Sequence, residues 1–275
     1  GLAAADVGVK EASAIALGKV GDDGAAAALT TAAQDSDANV QIAALRALAL
    51  IHPKNPDTVK ALGDLIADEP DGGTPKKSPN SIVREYATDA LGSIGDPAAM
   101  PHLLRARRDS MRNVREAAIL AVQKVFKADA SASSTQLTTV LKDEKRKTDD
   151  RIGAALALGD AADANLGKEL ADRLIDVNPP RILRDQDPGV RIKVCEALGN
   201  MKDAAKAKPT VTALVRCLRD EDEREAVRDA AYEALKAISG EAGDEKKFKA
   251  SDPKPARDAA ANKWLEWAKS GGLLD

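Results

Sequence analysis

The apolar positions of this chain fall into a ten-residue frame that returns seven times. It reads VKEASAIALG from Val9, VQIAALRALA from Val40, VREYATDALG from Val83 and VREAAILAVQ from Val114. It then reads DRIGAALALG from Asp150, VRIKVCEALG from Val190 and VRDAAYEALK from Val227. An apolar residue leads, a basic one usually follows, small residues stand in the middle and Ala-Leu-Gly or a near equivalent closes. In the fourth frame Val114, Ala118, Ala121 and Val122 fall at i, i+4, i+7 and i+8, one face of a helix. Each frame is followed by a breaker and a second amphipathic segment. TVKALGDLIADE follows the prolines of His52–Pro56, and TVTALVRCLRDED follows Lys202–Pro209. The unit is therefore two helices. Its return every 31 to 43 residues predicts an all-α fold, a right-handed α-solenoid of about seven helix pairs.

Two units are stretched. Residues 71–80, DGGTPKKSPN, are rich in Gly and Pro and read as a loop insertion. Residues 178–184, NPPRILR, are a second one and carry an exposed-looking pair, Ile182 and Leu183. Insertions in a repeat array emerge on its surface, often on a binding side. After the seventh frame the period is lost over residues 240–254. A last helical stretch then sets Trp264 and Trp267 three apart, on nearly one face. The reading is a repeat array over residues 1–239, closed by residues 240–275 as a linker and an atypical capping helix. Leu2–Asp6 reads as the tail of a helix that begins earlier.

Composition narrows the partners. Aromatic residues make up 2% of the chain and charged residues 31%, with a net charge of −3. A weakly acidic surface is a poor match for the phosphate backbone, so nucleic acid is not expected as a partner. The basic run Lys142–Lys147 is short and reads as a solvated turn. No run approaches the roughly 18 apolar residues of a membrane span, so no direct insertion is expected. Cys195 takes a small-residue slot and Cys217 a Leu-like slot, as two buried small hydrophobes. Whether they are linked cannot be read from spacing alone. The chain starts at Gly1 rather than Met. Two readings stay open, a segment removed before Gly1 or a chain trimmed there. The first leans slightly towards an exported, cell-envelope protein over a cytoplasmic one, and the compartment stays open.

The frame VR..AA.ALG, the turn Gly95-Asp96-Pro97, and the D.D turns Asp35-Ser36-Asp37 and Asp220-Glu221-Asp222 resemble HEAT repeats. They are most similar to the bacterial phycobilisome-lyase HEAT-like group. The resemblance covers nearly all of residues 7–239 and speaks to fold more than to function. It implies that the frame helix is the inner, concave helix of each pair. It also implies that the basic residue in second place joins a ladder with acids of the turns. Those residues would be Lys10, Arg84, Arg115, Arg151, Arg191 and Arg228, with Gln41 as the departure. Their partners would include Asp37, Asp109, Asp187 and Asp222.

No catalytic constellation is legible. His52 precedes a proline in a turn and His102 lies in a second helix, without the repeated ligand spacing a metal requires. Deoxyhypusine hydroxylase, a HEAT-repeat enzyme, binds iron through His-Glu pairs, and this chain has none. Asp35-Ser36-Asp37-Ala38-Asn39 opens like a calcium loop, but Val40 stands where the loop needs Gly. Neither a phosphate loop nor a nucleophile elbow occurs. No cofactor is expected, and no small-molecule substrate is evident.

What remains is surface. With positions one, five, six, eight and nine of the frame in the core, positions three, four and seven face the concave side. The end frames are mostly acidic there. The middle carries Tyr86, Leu120, Ile152, Leu156 and Ile192, apolar where solvent is expected. Together with Ile182 and Leu183 these are the candidate partner-binding residues. The expectation is a non-catalytic protein–protein interaction scaffold or adaptor, a subunit of a larger assembly. The alternative raised by the resemblance is an enzyme accessory factor, such as a phycobilin-lyase-like chromophore-handling protein.

Overall fold

A computed structural model describes residues 1–66, 78–161, 166–174, 184–240 and 248–273. The frames become helices because their ends are capped by the residues that flank them. Asp37 accepts hydrogen bonds from the backbone N–H groups of Asn39 and Val40, Asn80 from Ile82, and Asp187 from Gly189. Each bond satisfies a donor the first helical turn leaves unpaired. At the other end Gly95 adopts φ 73°, a left-handed conformation that lets its N–H reach Leu91 and stop the helix. His52 does the same at φ 54° in the second frame.

The frame helices are α1 (Val7–Val20), α3 (Ala38–Ile51), α5 (Ser81–Ile94), α7 (Arg112–Ala128), α9 (Thr148–Ala161), α11 (Pro188–Met201) and α13 (Glu225–Ser239). Their companions are α2 (Ala26–Ala32), α4 (Pro56–Ile66), α6 (Met100–Ala106), α8 (Ala130–Lys142), α10 (Leu166–Ala171), α12 (Lys208–Arg219) and α14 (Lys254–Ser270). Among the described residues there is no strand, and the architecture is an α-solenoid. None of these helices is long and apolar enough to cross a membrane. Leu2–Asp6 is not the tail of a helix. It is a turn that ends in Asp6, whose carboxylate accepts from Val9 N–H and starts α1.

The chain forms two compact units, Gly1–Gln136 and Leu137–Asp275. In the first, α1, α3, α5 and α7 pack side by side in that order, and α2, α4 and α6 form a second layer behind them. In the second unit α9, α11 and α13 form one layer, with α10, α12 and α14 behind. The closing Gly of the frame explains how closely the frame helices approach. A Cβ on Gly92 would lie 2.7 Å from Ala121 Cα, and one on Gly159 would lie 2.6 Å from Ala197 Cα. Gly in position ten thus meets Ala in position eight of the next frame, backbone against backbone.

Core positions one, five, eight and nine are buried in nearly every frame, and Val40, Ala44, Ala47 and Leu48 are representative. The second unit ends in an aromatic cluster. Trp264 is fully buried, edge-on to Tyr232 at 6.1 Å and to Trp267 at 5.8 Å. Tyr232 in turn stacks on Phe248 at 5.2 Å. α14 sits against α12, in the layer a companion helix would take.

Candidate functional site

The frame-helix face differs from the expectation at one position. In three frames position four is small and buried, at Ala43, Ala117 and Gly153, whereas Ala12, Tyr86, Lys193 and Ala230 keep solvent contact there. Positions three and seven keep solvent contact.

In the first unit the face opens as a cleft of about 370 Å³ between α1 and α3. Ile15, Ile42 and Leu50 give it an apolar floor, and Glu11, Lys19 and Arg46 rim it. Beside it the Arg46 guanidinium lies 5.9 Å from the centroid of the Tyr86 ring, a cation–π contact on a half-buried tyrosine. Further along, Leu120 is 55% exposed. Asp89, in position seven of α5, is half-buried. Burial raises its carboxyl above the ordinary range, Lys124 pulls it down and Glu85 pushes it up.

In the second unit Ile152, Leu156 and Ile192 are each half-buried. Ile152 leans on the first turn of α11, where a Cβ on Gly189 would meet its Cδ1 at 3.9 Å. Beside Ile192, Lys193 and Glu196 pair at 2.8 Å. Tyr86 and Leu120 thus stand on adjacent helices of the first unit, and Ile152, Leu156 and Ile192 on adjacent helices of the second. Ile182 and Leu183 lie outside the described residues. Sequence reasoning missed Leu50, which is 64% exposed. It stands four residues after Arg46, hence on the same face, and that spacing marks it.

The basic row is structural, with partners shifted from those expected. Arg84 forks onto Asp109, Nε to Oδ2 and Nη2 to Oδ1, both at 2.9 Å. Lys10 pairs with Asp35 at 2.7 Å, Arg151 forks onto Asp185, and Arg191 forks onto Glu223. Asp109 is as expected, whereas Asp35, Asp185 and Glu223 replace Asp37, Asp187 and Asp222. The reason is local. Asp37 and Asp187 are committed to capping α3 and α11, so the acid two residues earlier faces the preceding helix. In the third case Glu223 is the acid buried against the guanidinium, while Asp222 is exposed. Arg228 ends the row on the carbonyl of Ala250. Arg184, inside the stretch expected as a loop insertion, joins Asp220 at 3.2 Å and Glu223 at 2.6 Å.

Glu223 is also the clearest electrostatic feature. Burial pushes its carboxyl up, but hydrogen bonds from Arg191 and the Arg224 N–H, with both nearby arginines, hold it below the usual range. Cys195 and Cys217 are free, buried thiols. Burial pushes both up, Cys217 to about 12, which keeps them neutral and poorly nucleophilic. His102 packs flat against Gly63, with its Nδ1 3.3 Å from Arg105 Nη2.

HEAT repeats match residues 1–74, 76–159, 134–236 and 175–261. The chain belongs to the HEAT-repeat family. No curated protein matches it. Among solved structures it is similar to the complex of CpcE and CpcF of phycocyanin lyase from Nostoc sp., at 19% identity over 98% of this chain and 91% of that one, with a TM-score of 0.38. It is similar to human deoxyhypusine hydroxylase in complex with glycerol, at 21% identity over 95% and 98%, with a TM-score of 0.34. It is also similar to an engineered protein, at 21% identity over 98% and 76%, with a TM-score of 0.38.

Proposed function

We propose that the chain is a non-catalytic interaction scaffold, a subunit of a larger assembly, that holds a partner protein against the face of its frame helices. The observation that carries this reading is the accessible apolar row at positions three and seven and one turn beyond. Leu120 and Leu50 are more than half exposed, and Ile15 and Ile42 floor a cleft ringed by charge. An apolar centre with a charged rim is the anatomy of a protein-binding surface. Tyr86 and Arg46 are of the residue types that most often dominate such surfaces. Ile152, Leu156 and Ile192 form the corresponding patch of the second unit. Ile182 and Leu183 belong to the proposal on the strength of the sequence alone.

The test is purification of the chain from its native source with crosslinks mapped by mass spectrometry, followed by partner binding to variants. Leu50→Asp and Leu120→Asp are expected to weaken the captured partner at least tenfold each, about 1.4 kcal/mol, while leaving the helical content intact. A chain that purifies alone, or variants that bind as well as the parent, would overturn the reading. Copurification of an open-chain tetrapyrrole, seen by its visible absorbance, would instead support the chromophore-handling alternative.

A further inference from the structure

The guanidinium row carries a second, regular set of bonds. In each arginine rung, Nη1 donates to a pair of carbonyls in the turn just before its own helix. For Arg84 they are Ser78 and Pro79, at 2.8 and 3.1 Å, and for Arg115 they are Asp109 and Ser110, at 2.7 and 2.9 Å. For Arg191 they are Asp185 and Gln186, at 2.7 and 3.1 Å. In these three rungs the carbonyls stand six and five residues before the arginine, whereas Arg151 reaches seven and five back, to Glu144 and Arg146, and Arg228 eight and five back, to Asp220 and Glu223. The second frame has Gln41 in that place. The corresponding carbonyls, of Asp35 and Ser36, accept no hydrogen bond among the described residues. At the far end of the same rung, where other rungs have Asp109 or Asp185, the chain has Ser78. Both partners of the rung have been replaced together.

A polar cleft of about 690 Å³ lies there, lined by Asp35, Ser36, Gln41, Asp64 and Ser78 among others, with no lysine or arginine among the described residues of its wall. That volume lies in the range of small-ligand sites. Asp35 is already held by Lys10, and Asp64 lies 3.4 Å from Lys60, so both acids are paired and neither supplies the geometry of the cleft. The geometry comes from the carbonyl pair, an arrangement that elsewhere in this chain takes one kind of group. A planar guanidinium has five N–H donors in a fixed fork and no acceptor, which suits a wall of carbonyl and carboxylate oxygens.

We infer that the cleft at Gln41 is a guanidinium-binding site, filled by an arginine side chain of a partner that completes the missing rung from outside. The site lies at the turns, apart from the frame-helix face, and does not depend on the role proposed for that face.

The experiment is titration of the full chain, isotope-labelled for NMR, with blocked arginine (N-acetyl-arginine methylamide), blocked citrulline, its neutral isostere, and free L-arginine. Blocked arginine is expected to shift the amides of Asp35, Ser36 and Gln41 saturably and to bind at least tenfold more tightly than citrulline. Gln41→Arg fills the cleft from within. It should abolish that binding and raise the melting temperature by several degrees, as about 1–2 kcal/mol would for a chain of this size. Free arginine binding as tightly as the blocked form assigns the site to a small guanidino compound. Weaker binding of the free form assigns it to a protein side chain. Shifts that do not saturate, citrulline binding equal to arginine, or undiminished binding by Gln41→Arg would overturn the inference. The citrulline comparison uses the parent chain, so it stands even if the variant fails to fold.

Discussion

Arg191 shows how this fold uses a charged residue as a structural part. It is almost fully buried, and every bond it makes ties two turns together. Two bonds go to Glu223 in the next turn, and two go to carbonyls in the turn behind. Lysine carries the same charge but lacks the fork, so it cannot make both sets at once. Arg191→Lys is expected to lower stability by about 2 kcal/mol through lost charge-assisted hydrogen bonds. Glu223→Gln should cost about 3–5 kcal/mol, because it leaves Arg191 buried without its counter-charge. Urea denaturation of the two variants checks both values. Near-parental stability of Glu223→Gln would mean the rung is dispensable.

At the scale of the helix, close approach is what the frame encodes. Gly159 sits where a Cβ would lie 2.6 Å from Ala197 Cα and 2.9 Å from its carbonyl oxygen. Since the obstacle is backbone, no rotamer change relieves it. Gly159→Val is expected to destabilise the chain by at least the 1–3 kcal/mol typical of overpacking, despite the better helix propensity of valine. Gly21→Ala serves as a contrast, since a Cβ there meets nothing within 4 Å and only its φ of 72° is strained. A calorimetric scan ranks the two. This layer was legible in the sequence, because the small residues and Ala-Leu-Gly endings recur at fixed spacing and the spacing is what packs. The ladder was half legible. Its basic member sits at a fixed helical position, but its acid sits in a turn of variable length, where Asp35 and Asp37 differ only in which way they face. The surface was least legible. Ile152 and Leu120 look alike in the sequence, yet one leans on Gly189 and the other projects into solvent.

Across the whole molecule these local charges make stability depend on pH in a definite direction. Four carboxyls are held below their ordinary range, Asp203 among them through its hydrogen bond from Lys206. Asp35 is lowered by the Lys10 hydrogen bond, Asp187 by the Thr148 hydroxyl, and Glu223 by Arg191 and its neighbours against the effect of burial. A lowered folded value means the group stabilises above its unfolded pKa, and that contribution is lost as pH falls through the folded one. Asp89 has the opposite sign. Burial raises it, so its charge opposes folding at neutral pH, and protonation relieves it. The buried thiols act on the alkaline side. Unfolded thiols lose protons that Cys217, pushed up to about 12, retains, so stability falls as pH rises past the ordinary thiol range. Melting temperature followed across pH should therefore show a neutral plateau, an acid fall below the usual carboxylate range and an alkaline fall beyond the usual thiol range. Two variants separate the contributions. Asp89→Asn should raise the melting temperature at pH 7, with the gain fading once the parental carboxyl protonates. Glu223→Gln should lower it at pH 7, with the deficit narrowing in acid, where the parent loses the same charge. Identical pH profiles for parent and Glu223→Gln would show that acid sensitivity arises elsewhere than in the ladder.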